Sequence, residues 1–458
     1  MKNRLHSGLT VNPNSTLHDG TAEVFIKNLF KHRYSMSVIK DQIIFKINRY
    51  LSKITEKWGR LSFSLSLSKN LLNELISTIR VKKQLHSAVV AVLAPWFEDT
   101  TLDIRDGYLM RIKNIDTSVL CNYFRIYFYE CQYYKVNRII VDVISDDVIY
   151  VRYNSKYRKQ RSFVEKLIAE CGVCYTHSVL RMIPFEKPAK EYRWLDLFQG
   201  TICHILDAHG AAVEESLMLD NDDVGIWVKK AEEMYFSSAT GVVVVTLSMK
   251  KYFMNKYYDR NINYILYPIF SDNNTKFNGS NNRKSNVLTI VYAGGCQPWQ
   301  NISYMKEAIE SQINLADYYI YITNPSMFID LWENTDLPEN LLVKAGSVQE
   351  VNEVYQKAHY GFLLRDENII NQVACPTKLI EYIQSGIIPI LKYDDIGDSK
   401  CMGLRYLPVE DFIQGKIPTE RERFMMSKTN QRILFDRIHK QSGPSEIKNL
   451  IQTSIDRY

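Results

Sequence analysis

The sequence predicts an α/β protein with two doubly wound domains and an N-terminal helical extension. From Val287 onward, apolar runs of strand length alternate regularly with segments of helical periodicity. A second, less regular alternation of the same kind precedes it. At 458 residues the chain is also too long for one ordinary hydrophobic core. These three observations together indicate two layered domains joined by a linker.

The regular alternation predicts a domain over residues 286–425. Each of its apolar runs is rich in Ile, Val, Leu or Tyr at successive positions, as a parallel strand covered by helices on both faces requires. The five runs read VLTIVYAGG, YYIYIT, LLVKAG, YGFLL and IIPIL. We expect five parallel strands here, followed by surface helices over residues 426–458.

The earlier alternation predicts another doubly wound domain over residues 86–270. Its seven apolar runs read SAVVAVLAP, YFRIYFYE, RIIVDVI, VCYTHSVL, ICHILDAHG, GVVVVTLS and NYILYPIF. The polar stretch SDNNTKFNGSNNRKS, residues 271–285, is the predicted linker. Ligands of such sheets bind outside the carboxyl ends of the strands, so we expect the chemistry in a cleft between the two domains.

Composition is that of a globular chain, with 46% apolar and 24% charged residues. The eight cysteines are scattered and form no disulfide framework, which predicts reduced thiols. The first residues lack the apolar core of a signal peptide, and no apolar run approaches the roughly 20 residues that span a bilayer. We therefore expect a cytoplasmic protein.

Basic residues are concentrated over residues 1–85, the predicted helical extension. This segment has fifteen Lys and Arg against five Asp and Glu; with a net charge of +6 for the whole chain, the remaining residues sum to −4. Apolar pairs and lysines alternate there at helical spacing. The pattern is typical of a solvated helical face packed on a neighbour, or of a helix docked on an anionic membrane surface. Nucleic acid is a third interpretation, but it is not the partner we expect.

The segment ACPTKLIEYIQSG predicts a helix with chemistry at its beginning. Pro376 suits a first helical turn and Gly386 marks the end. The helix N-terminus offers free N–H groups to a phosphate, and Lys378 in the first turn is unfavourable unless an anion binds nearby. Thr377 and Glu381 share a face one turn deeper, where a carboxylate can accept hydrogen bonds from the two hydroxyls of a ribose. The alternative is that Glu381 pairs with Lys378 or faces solvent.

This segment resembles the donor-site signature of GT-B glycosyltransferases, particularly the retaining glycosyltransferase family 4 group. The resemblance extends over about residues 88–400. VYAGGCQPWQN looks like the glycine turn of the nucleotide-binding domain, in which Gly294 and Gly295 let the backbone approach a diphosphate and Gln300 continues the turn. The resemblance implies two Rossmann-like domains facing across a cleft. It also implies that Gly294, Gly295, Gln300 and Thr377 bind a nucleotide-sugar donor.

The segment LLRDENIINQ before the signature supplies further candidates for the donor site. Arg365 is the candidate for the charge of the diphosphate, and Asp366 or Glu367 for hydroxyls of the sugar. The common family pattern has a glutamate eight residues before the ribose glutamate, but Val373 stands there in this sequence. The contact to the donor sugar therefore departs from the family pattern.

The segment DAHG in the first domain resembles a strand end that faces the donor in related bacterial polysaccharide enzymes. The resemblance implies that His209 contacts the transferred sugar and that Asp207 orients it, although His209 also fits an ordinary loop histidine. YTHSVLR offers His177 and Arg181 at another strand end, and Gly107 is the candidate of the first glycine loop. These three residues are the predicted acceptor contacts.

Metal ligands are not expected. Cys171, Cys174 and His177 have no second cysteine pair to complete a zinc site, and the segment DNDD at 220–223 lies in a polar loop without a transferase metal context. No Walker A loop, dinucleotide fingerprint or nucleophile elbow is present in the sequence. A zinc-dependent sugar hydrolase using His204, Asp207 and His209 remains an alternative that chelation would test.

The resemblance implies a retaining, metal-independent glycosyltransferase of the hexosyltransferase type, with a nucleotide sugar as substrate and no cofactor. Its catalytic candidates are His209, Asp207, Arg365 and Lys378. The expected acceptor is a glycan or lipid-linked glycan of bacterial surface polysaccharide, such as capsule or lipopolysaccharide, at the inner face of the cytoplasmic membrane. The alternative is a non-catalytic GT-B-like scaffold subunit of a membrane glycan-assembly complex, which Val373 and the extension favour.

Overall fold

The structure is a computed structural model that describes residues 61–65, 69–86, 88–99, 107–130, 139–154, 157–179, 202–219, 222–269, 287–332 and 336–456. The predicted linker and residues 1–60 of the predicted extension lie outside the described residues. The chain divides into two compact units. The first comprises Met1–Ala91 and Tyr123–Cys171, and the second comprises Val92–Asn122 and Gly172–Tyr458.

Strands occur throughout the described residues. In chain order they are β1 (Leu61–Leu65), β2 (Val89–Leu93), β3 (Phe124–Glu130), β4 (Ile139–Ser145), β5 (Val148–Tyr153), β6 (Gly172–His177), β7 (Cys203–Ala208), β8 (Gly241–Val244), β9 (Tyr264–Leu266), β10 (Leu288–Gly294), β11 (Ala316–Ile322), β12 (Leu341–Lys344), β13 (Tyr360–Leu363), β14 (Ile388–Leu391) and β15 (Leu407–Pro408).

The α-helices alternate with these strands. They are α1 (Lys69–Leu85), α2 (Gly107–Ser118), α3 (Arg158–Cys171), α4 (Ala212–Met218), α5 (Asp222–Ser238), α6 (Leu247–Lys256), α7 (Ile302–Ser311), α8 (Pro325–Ile329), α9 (Val348–Lys357), α10 (Ile369–Val373), α11 (Thr377–Gln384), α12 (Ser399–Met402), α13 (Val409–Ile413), α14 (Glu420–His439) and α15 (Gly443–Ile455). Helix α14 passes through residue 426, the predicted start of the C-terminal helices.

The first unit contains a mixed sheet. Strand β3 pairs in parallel with β5, whereas β4 pairs antiparallel with both β5 and β1. Strand β5 is not among the predicted runs, and β1 lies within the segment predicted as mainly helical. The tight turn at Asp146 and Asp147 joins β4 to β5, and a turn this short is possible only between antiparallel strands.

The second unit contains a six-stranded parallel sheet in the order β12-β11-β10-β13-β14-β15. All five predicted strands of this region are present, and β15 adds a sixth. Its core is apolar and aromatic, with Tyr318, Tyr360 and Phe362 essentially without exposed surface. Every residue of β13 and β14 is buried, as expected of strands covered on both faces of a sheet.

Helix α11 has the predicted boundaries. Gly386 adopts a left-handed conformation with φ of 72° directly after the helix. The Gly386 N–H donates to the Ile383 carbonyl at 3.0 Å, and the Ile387 N–H donates to the Tyr382 carbonyl at 2.8 Å. These two bonds form a Schellman motif, which ends the helix and turns the chain into β14.

A row of four parallel strands, β6-β7-β8-β9, also belongs to the second unit. Every residue of β7 and β8 is buried. No helix among the described residues is both long and apolar enough to cross a bilayer.

Candidate active site

The candidate site lies entirely within the second unit, at the carboxyl ends of parallel strands. Strand β7 ends at Ala208, directly before His209, and β10 ends at Gly294. Strand β13 ends two residues before Arg365, and helix α11 carries Lys378 in its first turn. This is where open parallel sheets bind their ligands.

Lys378 occupies the space that the missing side chain of Gly294 leaves. A Cβ added at Gly294 would overlap the Cε and Nζ atoms of Lys378. The ammonium also lies 5.4 Å from the centre of the Tyr292 ring. Burial, together with the charge of Arg365, lowers the pKa of Lys378 to about 8. Among the described residues, Lys378 forms no ion pair or hydrogen bond.

Arg365 is a second cation that the protein does not neutralise. Its side chain is buried, and its Nε atom has no hydrogen-bond partner in the part of the chain that the structure describes. Its guanidinium makes one long contact of 3.4 Å to the Asn371 Oδ1 atom. Burial lowers the pKa of Arg365 to about 10. A buried guanidinium with unpaired donors is costly, and an anionic ligand would satisfy it.

Glu381 lies one turn after Lys378 on helix α11, as predicted. Its Oε2 atom accepts a hydrogen bond of 3.1 Å from the Tyr355 hydroxyl group. Burial raises the pKa of Glu381, while the Tyr355 hydrogen bond and Lys378 oppose this shift. The carboxylate keeps a second oxygen for which no hydrogen bond is formed within the described residues.

The N-terminus of helix α2 lies between Thr377 of helix α11 and His209 after β7. A Cβ added at Gly107 would lie 2.7 Å from the Thr377 Cγ2 atom, so the absence of a side chain lets helix α11 approach. The ring of the next residue, Tyr108, has its centre 5.3 Å from that of His209. Gly107, predicted as an acceptor contact, therefore packs directly against Thr377, predicted as a donor contact.

Asp207 is the centre of a buried polar cluster. The Arg111 Nε and Nη2 atoms donate to its two oxygens at 2.9 and 3.1 Å, and the Tyr175 hydroxyl group donates at 3.0 Å. Burial alone would raise the pKa of Asp207, but the positive charge of Arg111 holds it well below its usual range. Because Asp207 has no exposed surface, it cannot orient a sugar by contact, which corrects the predicted role.

The two histidines of this cluster differ in exposure. The Nδ1 atom of His177 and the Nε2 atom of His209 each lie 3.5 Å from the Asp207 Oδ2 atom, but only His209 retains exposed surface, 15% of its side chain. Burial lowers the pKa of His177 to about 4, so its imidazole is neutral at pH 7. His177 therefore supports Asp207 and does not line an acceptor surface, contrary to the prediction. Arg181 lies outside the described residues.

The ligand atoms of His177, Asp207 and His209 lie within 4.8 Å of one another, which is the spacing of a metal site. However, the Arg111 guanidinium already pairs with both oxygens of the same carboxylate. A cation held at this carboxylate would meet the charge of Arg111 at close range. The donor set therefore fits a hydrogen-bonded cluster better than a metal ion.

Other predicted residues of the site have mainly local partners. The Gly295 carbonyl accepts a hydrogen bond of 2.6 Å from the Tyr292 hydroxyl group, which shapes the turn after β10. Gln300 is buried in the short 3-10 helix that follows. Asp366 accepts hydrogen bonds from the Asn301 side-chain amide at 3.1 and 3.2 Å and from Lys392. The Asp366 carboxylate therefore already has protein partners, Asn301 and Lys392.

Three solved structures are similar to this chain in fold. A sucrose-phosphate synthase from Thermosynechococcus elongatus has a TM-score of 0.59 and 12% identity, covering 81% of this chain and 100% of that one. A trehalose-6-phosphate synthase has a TM-score of 0.54 and 9% identity, covering 81% and 99%. A trehalose-6-phosphate protein from E. coli bound with UDP-2-fluoro glucose has a TM-score of 0.51 and 8% identity, covering 81% and 99%. No protein-family profile and no curated protein matches the sequence.

The chain has the GT-B fold. Within this GT-B chain, the sequence analysis missed five residues. Arg111, Tyr175, Tyr292 and Tyr355 contact the predicted ones, and Glu215 lies beside Gly210 of the DAHG turn. Four of these five occur in apolar segments where they read as core or helix-face residues. Only the tertiary structure brings them to the strand ends.

Proposed function

We propose that the protein is a retaining, metal-independent glycosyltransferase. It moves a hexose from a nucleoside-diphosphate sugar to a glycan or lipid-linked glycan in bacterial surface polysaccharide synthesis. One observation carries the proposal: Arg365 is a buried cation and Lys378 a partly buried one, neither forms an ion pair among the described residues, and Lys378 lies against Gly294 at a strand end. A diphosphate bound there would satisfy both charges at once.

Helix α11 would contribute to the same anion site. Its first turn has no side-chain cap, so its N-terminal N–H groups remain available to an anion. As the bond between the sugar C1 atom and the phosphate oxygen breaks, negative charge grows on the diphosphate. Arg365, Lys378 and the helix N-terminus lower the barrier because they are in place before the reaction begins. Glu381 and Thr377 would hold the ribose and its phosphate.

The transferred sugar would face His209. The acceptor hydroxyl forms the new bond to C1 on the face that the diphosphate leaves, and its proton passes to the departing phosphate oxygen. His209 donates or accepts a hydrogen bond at the sugar, while Asp207 and Arg111 hold the imidazole in place. Retention of configuration rests on the sequence resemblance, and the sugar and acceptor are chosen by contacts outside this cluster.

The basic extension, residues 1–85, supports an acceptor at the membrane. Lysines and arginines near an anionic bilayer each contribute roughly 1 kcal/mol of binding. We expect the protein to bind vesicles containing phosphatidylglycerol, to bind neutral phosphatidylcholine vesicles weakly, and to be released by about 0.5 M salt. Binding that ignores both salt and lipid charge would contradict electrostatic docking.

Calorimetric binding and thermal unfolding with UDP, GDP, ADP and their common sugar conjugates test the function. A ligand at 100 times its dissociation constant stabilises the folded state by about 2.7 kcal/mol. We expect one nucleotide class to stabilise the wild type and Glu381→Ala to lose most of this shift. The matched control is Glu353→Ala, which removes an exposed carboxylate from the neighbouring helix α9. Activity should survive exhaustive chelation.

The alternative is a non-catalytic GT-B-like scaffold subunit. It is favoured by Val373, which is buried and apolar at the position where the family pattern has a sugar-binding glutamate. A folded wild-type protein that binds no nucleotide in the panel would support the scaffold. Nucleotide binding together with transfer of a labelled sugar to a membrane extract would exclude it.

A further inference from the structure

Helix α4 places an unassigned carboxylate beside the candidate site. The helix begins directly after the DAHG turn, and its fourth residue is Glu215. A Cβ added at Gly210 would overlap the Glu215 Oε1 atom. Gly210 does not have a positive φ, so its role is to leave space for this carboxylate next to His209, and the turn itself does not require glycine.

Glu215 differs from the neighbouring acidic residues because nothing in the described chain neutralises it. Glu214 accepts hydrogen bonds from Tyr252 and from Lys256. Glu232 is paired with Lys256 at 2.6 Å and accepts a hydrogen bond from a tyrosine. No ion pair or hydrogen bond to the Glu215 carboxylate is formed within the described residues. A partly buried carboxylate without a partner is available to a ligand.

Arg365 is the cation whose charge acts on Glu215. Burial raises the pKa of Glu215, and the charge of Arg365 is the strongest influence that opposes this rise. The two groups do not form a direct ion pair, although Arg365 is itself short of partners. Glu215 lies beside Gly210 after β7, and Arg365 follows the end of β13, so a hydroxyl acceptor and an anion-binding group both stand at strand ends of the second unit.

Helix α10, which contacts helix α4, offers no carboxylate to a bound sugar. It lies against helix α4 and ends at Val373, whose side chain is 1% exposed and offers no polar atom. The Thr246 hydroxyl group donates a hydrogen bond of 2.8 Å to the Val373 carbonyl, which fixes that end of α10. The sugar next to a bound diphosphate would therefore find no carboxylate on α10.

We propose that Glu215 binds the hydroxyl groups of the donor sugar, in place of the carboxylate that helix α10 lacks. The inference rests on the proposed function, because it requires a nucleoside-diphosphate sugar held by Arg365. A carboxylate accepts two hydrogen bonds from neighbouring hydroxyls of a hexose. It repels the carboxylate of an acidic sugar, so the donor is a neutral hexose and not a uronic acid.

The test compares two affinities in the same protein, those for UDP or GDP and those for the matching UDP-hexose or GDP-hexose, measured by calorimetry. Hydrogen bonds to a charged group contribute about 1.5–3 kcal/mol, which is tenfold or more in affinity. We expect Glu215→Ala to weaken binding of the sugar conjugate by about tenfold and to leave the free diphosphate unchanged. Glu214→Gln, one residue away on the same helix, is the control in which neither affinity changes.

A second comparison uses Glu215→Gln with UDP-glucose and UDP-glucuronate. If charge repulsion sets the preference for UDP-glucose over UDP-glucuronate, the neutral amide of this variant should reduce that preference by about tenfold. If a Glu215 variant loses equal affinity for the free diphosphate and for the sugar conjugate, the role of Glu215 is overturned and the proposed function stands. The same holds if affinity for the sugar conjugate is unchanged but sugar transfer is lost. A wild type that binds neither class of ligand would overturn both.

Discussion

Lys378 lies in the space that a side chain at Gly294 would fill. The two residues are 84 positions apart in sequence, and the glycine allows the ammonium to sit at the end of β10, over the Tyr292 ring. A strand end, a helix N-terminus and a partly buried cation thus share one small region. The glycine is needed for its lack of side chain, since its φ is not positive.

Substitution of Gly294 should therefore remove ligand binding more than it removes stability. In Gly294→Ala the new Cβ displaces the flexible end of Lys378, which can move without disturbing the core. We expect nucleoside-diphosphate affinity to fall tenfold or more, as for loss of one charge-assisted hydrogen bond, with a loss of stability under about 1 kcal/mol. Calorimetry and urea unfolding measure the two quantities.

The control for this substitution is Gly225→Ala. Gly225 lies within helix α5, where an added Cβ would lie 2.6 Å from the Cδ2 atom and 3.1 Å from the Cγ atom of Leu217, whose exposed side chain can move away. Alanine is favoured over glycine in a helix by roughly 0.5–1 kcal/mol, so this variant should be as stable as the wild type or more so. Equal ligand affinity in Gly294→Ala and the control would contradict the position assigned to Lys378.

The lowered pKa of Lys378 predicts a pH dependence of nucleotide binding. Free protein with a pKa of about 8 carries the charged ammonium below that pH and loses it above. The terminal phosphate of a diphosphate has already ionised, with a pKa near 6, so it does not change in this range. We expect affinity to be constant from pH 7 to about 8 and to fall by up to about tenfold per unit above it.

Lys378→Arg separates this effect from general alkaline damage. Arginine stays charged to about pH 12, so binding by the variant should lack the decline above pH 8. Calorimetry in two buffers of different ionisation enthalpy should also detect proton uptake by the wild type above pH 8. A flat affinity profile in the wild type would contradict the lowered pKa.

The buried pair of Arg111 and Asp207 predicts strong coupling in stability. Removing one member leaves the other charge buried without its partner, which costs about 3–5 kcal/mol. We expect Arg111→Met and Asp207→Asn each to be destabilised by this amount. The double variant should be less destabilised than the sum of the two, by about 1–3 kcal/mol, because no charge remains unpaired. Urea unfolding of the four proteins measures the coupling, and additive losses would contradict it.

Local patterns were sufficient to predict most strands and the ends of helix α11. Continuous apolar runs identified β10 to β14. Gly386 identified the end of helix α11, because a glycine readily adopts the left-handed conformation that ends a helix. Strand β5 was missed because VIYVRY follows β4 after only two residues, Asp146 and Asp147, so no loop of ordinary length separates the two strands in the sequence. The hairpin is a property of the turn, which apolar periodicity does not reveal.

The candidate site was predicted only in part, because its interacting residues lie far apart in the sequence. Arg111 and Asp207 are 96 residues apart, and Tyr355 and Glu381 are 26 apart. A side chain's chemical type is visible in the sequence, but its burial and partner are not. Asp207 was therefore expected at a sugar although it lies in the interior, and Glu215 was overlooked although its carboxylate is unpaired.

The buried histidines predict a loss of stability in acid. Burial lowers the pKa of His177 to about 4 and that of His204 to about 3, from an ordinary value of 6.5. Between these limits the unfolded chain binds protons that the folded protein does not, so the free energy of unfolding falls as pH falls. The contribution is complete above pH 6.5 and is lost progressively toward pH 3, at up to about 1.4 kcal/mol per pH unit for each histidine.

His204 is the better probe, because His177 belongs to the Asp207 cluster. The His204 Nε2 atom lies 3.0 Å from the Thr176 hydroxyl group, and an amide side chain can retain such a contact. His204→Asn should be less stable at pH 7.5, with a slope of unfolding free energy between pH 6 and 4.5 reduced by about 1.4 kcal/mol per pH unit. His439→Asn, at an exposed position of α14, should keep the wild-type slope. An equal slope in all three proteins would mean that His204 binds its proton in the folded state, and would contradict its burial as a neutral group.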